Sequence, residues 1–87
     1  MTSNLHYSST IDVRKPEEFN IEHLPDAINI PLYNLFQALG QIKQLRKPTM
    51  LYCRNGNRSG MAVTFLKQNG IPDVINGGGI DNLKQNN

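Results

Sequence analysis

The chain has 87 residues, a single cysteine and a net charge of +2. One cysteine cannot form an internal disulfide, and together with two isolated histidines it is too few for a structural zinc site, which excludes disulfide-stapled and zinc-stabilised small domains. The weak net charge, carried by scattered basic residues, excludes a general nucleic-acid binder. We therefore expect one domain over residues 1–87, a monomer stabilised by packing alone, with a free thiol at Cys53.

The sequence predicts no membrane span and no secretory signal. The longest stretch without a charged residue, 27–42, has 16 residues and includes four Asn and Gln side chains, whereas a span needs about 20 mostly apolar residues. The first seven residues lack the basic and apolar regions of a secretory signal. A cytoplasmic location is the resulting expectation.

The first half of the chain predicts two short strands, each followed by a helix. Residues 9–13 form the first predicted strand, and Pro16 after it suits the first turn of a helix. Residues 27–30 form the second. Apolar residues then recur at helical spacing, which predicts one amphipathic helix with five residues on its buried face: Leu32, Leu35, Phe36, Leu39 and Ile42.

The second half repeats the alternation. Residues 49–53 predict a strand that ends at Cys53, and a helix from about Ser59 is expected to bury Met61, Ala62, Phe65 and Leu66. Gly70 stands where a left-handed helix cap is expected. A short strand at 74–75, three glycines and a final helical turn complete the chain.

This order of elements predicts an α/β fold with a small parallel sheet of four to five strands and helices on both faces. Ligands of such folds bind beyond the carboxyl ends of the strands. Cys53 ends a predicted strand, so it should lie at that edge of the sheet.

The loop after Cys53 is polar, basic and turn-forming, with Gly56 at its centre. Such a loop can direct several backbone N–H groups at the sulfur, and the start of the next helix adds its positive end. Cysteines in these surroundings have pKa values lowered to about 3.5–7.5, which makes them nucleophilic. A buried, inert cysteine is the alternative that these residues leave open.

Three segments together resemble the rhodanese-like domains: IDVRKPEEF at 11–19, HLPDAINIPL at 23–32 and YCRNGNRSG at 52–60. The resemblance implies a small parallel sheet flanked by helices and a sulfur-carrying cysteine. It makes Cys53 the catalytic residue, loaded as a persulfide, with no metal or organic cofactor. The implied substrate-binding residues are those of the loop: Arg54, Asn55, Gly56, Asn57, Arg58 and Ser59.

The length of the loop separates two chemistries. Cysteine phosphatases and related arsenate reductases use Cys-x5-Arg, where the arginine clamps an oxyanion. Here Arg58 lies five positions after Cys53, giving Cys-x4-Arg. The shorter loop favours one sulfur atom over a phosphoryl group, with Arg54 orienting the donor and Arg58 either contacting the anion or bracing the loop.

Other residues of the resembling segments are expected to be structural. Asp12, Arg14 and Glu18 predict a salt bridge that pins the loop after the first strand, and His23 predicts a structural hydrogen bond. The three glycines at 77–79 are expected to lie beside the cysteine loop, where the absence of side chains permits close approach.

The leading functional hypothesis is a thiosulfate-type sulfurtransferase that passes sulfur from a small anionic donor to a thiol or cyanide. A relay module that exchanges sulfur with partner proteins needs the same persulfide, so the sequence leaves it open. A phosphatase or arsenate reductase and a non-catalytic regulatory domain are the lesser alternatives.

Overall fold

The computed structural model describes residues 6–85, and it contains four strands and four α-helices. In chain order they are β1 Ser9–Asp12, α1 Pro16–Ile21, β2 Ile28–Asn29, α2 Leu39–Gln44, β3 Thr49–Cys53, α3 Asn57–Gln68, β4 Val74–Gly79 and α4 Ile80–Gln85, with a 3₁₀ turn at Leu32–Asn34 before α2. Residues 1–5 and 86–87 lie outside the described part. The expectation that the chain begins without a secretory signal falls largely on the first of these segments.

The four strands form one parallel sheet in the order β2-β1-β3-β4. Side chains alternate between its two faces along β3. Leu51 and Cys53 pack into a core shared with α2 and α3, whereas Met50 and Tyr52 pack into a second core shared with α4. The predicted α/β fold, with a parallel sheet between helices, is confirmed.

The predicted helix over 32–42 is wrong as a continuous element. From Pro31 to Ala38 several backbone N–H groups bond to carbonyls three residues back, the N–H of Ala38 also reaches the carbonyl of Asn34, and α2 begins only at Leu39. A 3₁₀ turn has three residues per turn, so Leu32, Leu35 and Ala38 share its inner face. Phe36 is rotated off that face and is 69% exposed, contrary to the prediction that it is buried.

Helix α3 begins at Asn57, about two residues before the predicted start. Its fully buried residues are Ser59, Ala62 and Leu66, so Met61, predicted to be buried, lies on the outer side and is 57% exposed. The predicted left-handed cap at Gly70 is confirmed by its φ of +83°.

Strand β4 is longer than predicted and includes all three glycines. Its register against β3 shifts by one residue, since Leu51 pairs with Asn76 but Tyr52 pairs with Gly78. This bulge turns the end of β4 toward the loop after β3.

No helix within residues 6–85 is long and apolar enough to cross a membrane.

Candidate active site

Cys53 is the last residue of β3, an interior strand of the sheet, and its side chain is fully buried. The strand is built from β-favouring and apolar residues that are buried throughout, so its end is held firmly between β1 and β4. This geometry places the sulfur at the carboxyl edge of the sheet, as predicted.

Three groups surround the sulfur at hydrogen-bonding distance. The backbone N–H of Gly56 donates to Sγ at 3.1 Å and that of Ser59 donates at 3.3 Å. The Ser59 hydroxyl lies 3.3 Å from Sγ. Gly56 adopts a φ of +92°, a conformation that glycine reaches without strain, and this turn directs the loop N–H groups inward.

Two opposing effects set the pKa of the Cys53 thiol. Burial raises it, because a charged sulfur loses hydration. Hydrogen bonds that the thiolate accepts from the Ser59 hydroxyl and from the backbone of Ser59, Asn55 and Gly56 lower it and outweigh burial, so the pKa of Cys53 lies below its usual value. The loop therefore stabilises negative charge on the sulfur.

Arg58 forms an ion pair with Glu18 of α1. Its Nη1 lies 2.8 Å from Oε1 and its Nη2 lies 3.2 Å from Oε2, in a fork that matches the carboxylate. The side-chain hydrogen bond from Arg58 lowers the pKa of Glu18 to about 2. Of the two roles predicted for Arg58, this geometry supports bracing the loop. Glu18 therefore forms its ion pair with the cysteine loop and not with the pair of Asp12 and Arg14.

Removing this ion pair should change how stability depends on pH. Because Glu18 has a pKa of about 2 in the fold against 4.5 in an unfolded chain, the pair stabilises fully above pH 4.5 and is lost as the pH falls toward 2. We expect Glu18→Gln to lower the free energy of unfolding by on the order of 1 kcal/mol at pH 7, since both side chains are partly exposed to solvent screening.

Urea denaturation of the wild type and Glu18→Gln at pH 7 and pH 3 would measure this difference, which should shrink at the lower pH. Glu17→Gln, on the exposed side of the same helical turn, is the matched control. Equal pH dependence of the wild type and Glu18→Gln would contradict the prediction.

Glycines of β4 lie against the loop, as predicted. A Cβ on Gly79 would sit 2.5 Å from the carbonyl oxygen of Arg54, and one on Gly56 would sit 3.4 Å from the Cα of Gly78. The first distance is too short for a real Cβ, so the loop can take its place around the sulfur only because Gly79 has no side chain, whereas the second is an ordinary contact.

The side chains of the remaining predicted loop residues, Arg54, Asn55 and Asn57, are exposed. Asn55 folds back on the loop, its Oδ1 accepting the N–H of Asn57 at 3.0 Å and lying 4.0 Å from Sγ. Arg54, which directly follows Cys53 in the chain, thus presents its charge to solvent beside the loop.

Asn76 is a site residue that the sequence analysis does not identify. Its Oδ1 accepts the Ser59 hydroxyl at 2.7 Å and the N–H of Gly78 at 2.9 Å, and its Nδ2 donates to the carbonyl of Gly56 at 3.2 Å. A polar side chain directly before three glycines at the carboxyl end of a strand is the signal that could have indicated it.

Comparison with known proteins identifies the family. A sequence profile of the rhodanese-like domain matches residues 2–86. The chain belongs to this family. The thiosulfate sulfurtransferase PspE of Escherichia coli is 36% identical over 74 residues, which make up 84% of this chain and 71% of PspE. A solved structure described as a rhodanese with anions from E. coli matches with a TM-score of 0.76 at 35% identity, covering 84% of this chain and 87% of that one.

The chain matches only part of two longer relatives. The protein YqhL of Bacillus subtilis is 46% identical over 66 residues, 76% of this chain but 52% of YqhL, so the chain spans about half the length of that relative. The adenylyltransferase and sulfurtransferase MOCS3 of Drosophila ananassae is 38% identical over 77 residues, which are 17% of its length. Of these relatives, PspE and MOCS3 are described as sulfurtransferases.

Asp12, Arg14 and His23, from the segments 11–19 and 23–32, have structural roles in this rhodanese-like domain, as predicted. Arg14 and Asp12 form a buried ion pair, with Nη2 2.8 Å from Oδ2. His23 Nδ1 lies 2.8 Å from the carbonyl oxygen of Phe19, and the two rings stack with centroids 3.7 Å apart. These contacts hold the segment that carries Glu18, and through it the loop.

No group of three or more potential metal-ligating side chains converges anywhere in residues 6–85.

Proposed function

We propose that this domain is a thiosulfate-type sulfurtransferase in which Cys53 carries the transferred sulfur as a persulfide. The observation that supports this most strongly is the buried sulfur at the sheet edge, with two backbone N–H donors directed at it. These donors stabilise an anion on the sulfur both before and after it is loaded.

In the first step the Cys53 thiolate attacks the outer sulfur of thiosulfate. A sulfur–sulfur bond forms to Cys53, the bond between the two donor sulfurs breaks, and sulfite leaves with the electron pair of that bond. Arg54, which is exposed and directly follows Cys53 in the chain, attracts and orients the anionic donor.

A donor must first reach a sulfur that is fully buried. The exposed side chain of Asn55 has its Oδ1 4.0 Å from Sγ. We propose that this side chain moves aside to admit the donor while the backbone N–H groups of Gly56 and Ser59 stay in place.

In the second step a thiolate acceptor attacks the outer sulfur of the persulfide. The sulfur–sulfur bond to Cys53 breaks, the Cys53 thiolate is restored and the acceptor leaves as a persulfide. Neither displacement needs a metal or an organic cofactor, and the chain has no second cysteine to resolve the persulfide internally. The acceptor is therefore an outside thiol, or cyanide in an assay, and ping-pong kinetics follow.

The same site disfavours phosphoryl or arsenate chemistry. A phosphatase needs its loop arginine to clamp the oxyanion, whereas Arg58 closes a Cys-x4-Arg loop and pairs with Glu18. The presence of a cysteine at position 53, with two backbone N–H groups directed at its sulfur, also disfavours a purely regulatory domain.

A sulfur relay between proteins is the second candidate function. It is favoured by the relatives in which a sulfurtransferase occurs together with an adenylyltransferase, in Drosophila ananassae and in Ogataea parapolymorpha. The relay would use the same Cys53 persulfide but take its sulfur from a protein and deliver it to one.

Incubating the wild type with thiosulfate and measuring the intact mass tests the proposal. We expect the protein to gain the mass of one sulfur atom, located on Cys53, and to lose it again when a small thiol or cyanide is added. Loading from a persulfidated protein but not from thiosulfate would identify the relay instead. No added sulfur from either source would overturn both functions.

A further inference from the structure

The Ser59 hydroxyl lies between two groups that compete for it. Its oxygen is 3.3 Å from the Cys53 sulfur and 2.7 Å from Oδ1 of Asn76. A hydroxyl carries one hydrogen, so Ser59 can donate to only one of these neighbours at a time.

The other contacts of Asn76 determine which way its amide faces. The N–H of Gly78 must meet an acceptor, and at 2.9 Å it meets Oδ1. The carbonyl of Gly56, which already accepts the N–H of Gly60 at 2.9 Å, lies 3.2 Å from Nδ2, at a place where a second carbonyl oxygen would be repelled. Because Oδ1 can only accept, the short contact with Ser59 requires that Ser59 donates to Asn76.

This assignment fits a neutral sulfur. With its hydrogen on Asn76, the Ser59 oxygen presents a lone pair to Cys53 and can accept the S–H of a thiol at 3.3 Å, whereas the other acceptor within reach, Oδ1 of Asn55, lies at 4.0 Å. A thiolate or a persulfide anion has no hydrogen to donate, so the hydroxyl must turn its hydrogen from Asn76 to the sulfur when charge appears there.

We propose that Asn76 is a positioning residue that holds the Ser59 hydroxyl hydrogen away from Cys53 in the resting thiol and releases it when the sulfur becomes negative. Asn76 thereby restrains the reactivity of the unloaded cysteine. The inference rests on the proposed role of Cys53 as the sulfur carrier, but its test measures the thiol alone and needs no sulfur donor.

The charged groups near the pocket come from other elements and are unchanged by variants of Asn76. They are Arg54 in the loop, Arg58 of α3 with its partner Glu18 of α1, and the buried pair of Asp12 and Arg14 on and after β1. A shift in the pKa of Cys53 that requires both Asn76 and Ser59 is therefore caused by the Ser59 hydroxyl and not by these charges.

The test is a double-mutant cycle on the thiol titration. The rate of alkylation by iodoacetamide and the thiolate ultraviolet absorbance are followed against pH in the wild type, Asn76→Ala, Ser59→Ala and the double variant. The single cysteine makes both signals specific for Cys53. We expect Asn76→Ala to lower the pKa of Cys53 by about 0.5–1 unit, and to speed alkylation about three- to tenfold below that pKa, because the freed hydroxyl then donates to the sulfur.

In the Ser59→Ala background the same substitution should shift the pKa by less than about 0.2 unit, since no hydroxyl remains to be redirected. If Asn76 only held the loop in place, Asn76→Ala would raise the pKa of Cys53, because a looser loop withdraws the N–H of Gly56 from the sulfur. A raised pKa in Asn76→Ala, or an equal shift in both backgrounds, would overturn the proposal.

Asn76→Asp provides a second variant should Asn76→Ala fold poorly. It keeps an oxygen acceptor at this place, and the negative charge of that acceptor strengthens the hydrogen bond from the Ser59 hydroxyl. The pKa of Cys53 should therefore rise more in the presence of Ser59 than in the Ser59→Ala background. The added charge alone would raise it equally in both, and that result would also overturn the proposal.

Discussion

Replacing Cys53 by serine is expected to reduce sulfur transfer from thiosulfate to cyanide by at least about a thousandfold, as for the loss of other enzyme nucleophiles. Serine is close in size and can still accept the hydrogen bonds from the backbone of Gly56 and Ser59. Its hydroxyl stays protonated at neutral pH and forms no persulfide, so the site is retained while its chemistry is removed. Release of sulfite and formation of thiocyanate measure the two half-reactions separately.

Cys53→Ala and Lys67→Ala complete this experiment. The first should be equally inactive, and the second, which alters an exposed side chain of α3 outside the cysteine loop, should retain most of the activity. Thermal unfolding of each variant shows whether the fold is retained. Transfer by a well-folded Cys53→Ser protein at more than a few per cent of the wild-type rate would contradict a persulfide on Cys53.

Replacing Asp12 by alanine is expected to destabilise the protein by about 3–5 kcal/mol, because it leaves a buried charge without its partner. Both oxygens of Asp12 bind the guanidinium of Arg14, and both side chains are almost completely inaccessible to solvent, at 0% and 2%. Small domains are stable by only about 5–15 kcal/mol in total, so much of the stability would be lost. The melting temperature, followed by circular dichroism, should fall by more than about 12 °C, at about 4–8 °C per kcal/mol for a domain of this size.

Glu22→Ala is the matched control, because it removes an ion pair with Lys84 that is exposed on both sides. We expect it to leave the melting temperature unchanged within error, since exposed pairs contribute little. A similar melting temperature for Asp12→Ala and Glu22→Ala would show that the buried pair does not support the fold.

The strands and the cysteine loop could be predicted because their signals are local. Residues 49–53 are β-favouring and apolar between polar turns, and the structure places β3 at the same residues. The loop is equally local: Gly56 permits its turn, and the start of α3 follows directly. Neighbouring residues alone therefore indicated where the sulfur lies in the sheet.

The segment from 32 to 42 shows where periodicity was insufficient. Leu32 and Leu35 fit a 3₁₀ turn and an α-helix equally well, because the two repeats differ by little over one turn. The residue that distinguishes them is Phe36, which would be buried in the helix but is exposed in the turn. The hydrogen bond from Leu32 N–H to the carbonyl of Val13 anchors the start of the turn to the residue that follows β1, a tertiary contact that the pattern does not encode.

The amino-acid sequence by itself determined the single free thiol, the length of the loop behind it and the absence of a second cysteine to resolve a persulfide. Only the tertiary structure decided what surrounds that thiol. Glu18 meets Arg58 across 40 positions, and Asn76 meets Ser59 across 17. Such pairs form because parallel strands bring their carboxyl ends to one edge of the sheet, where the residues that follow each strand become neighbours whatever their separation along the chain.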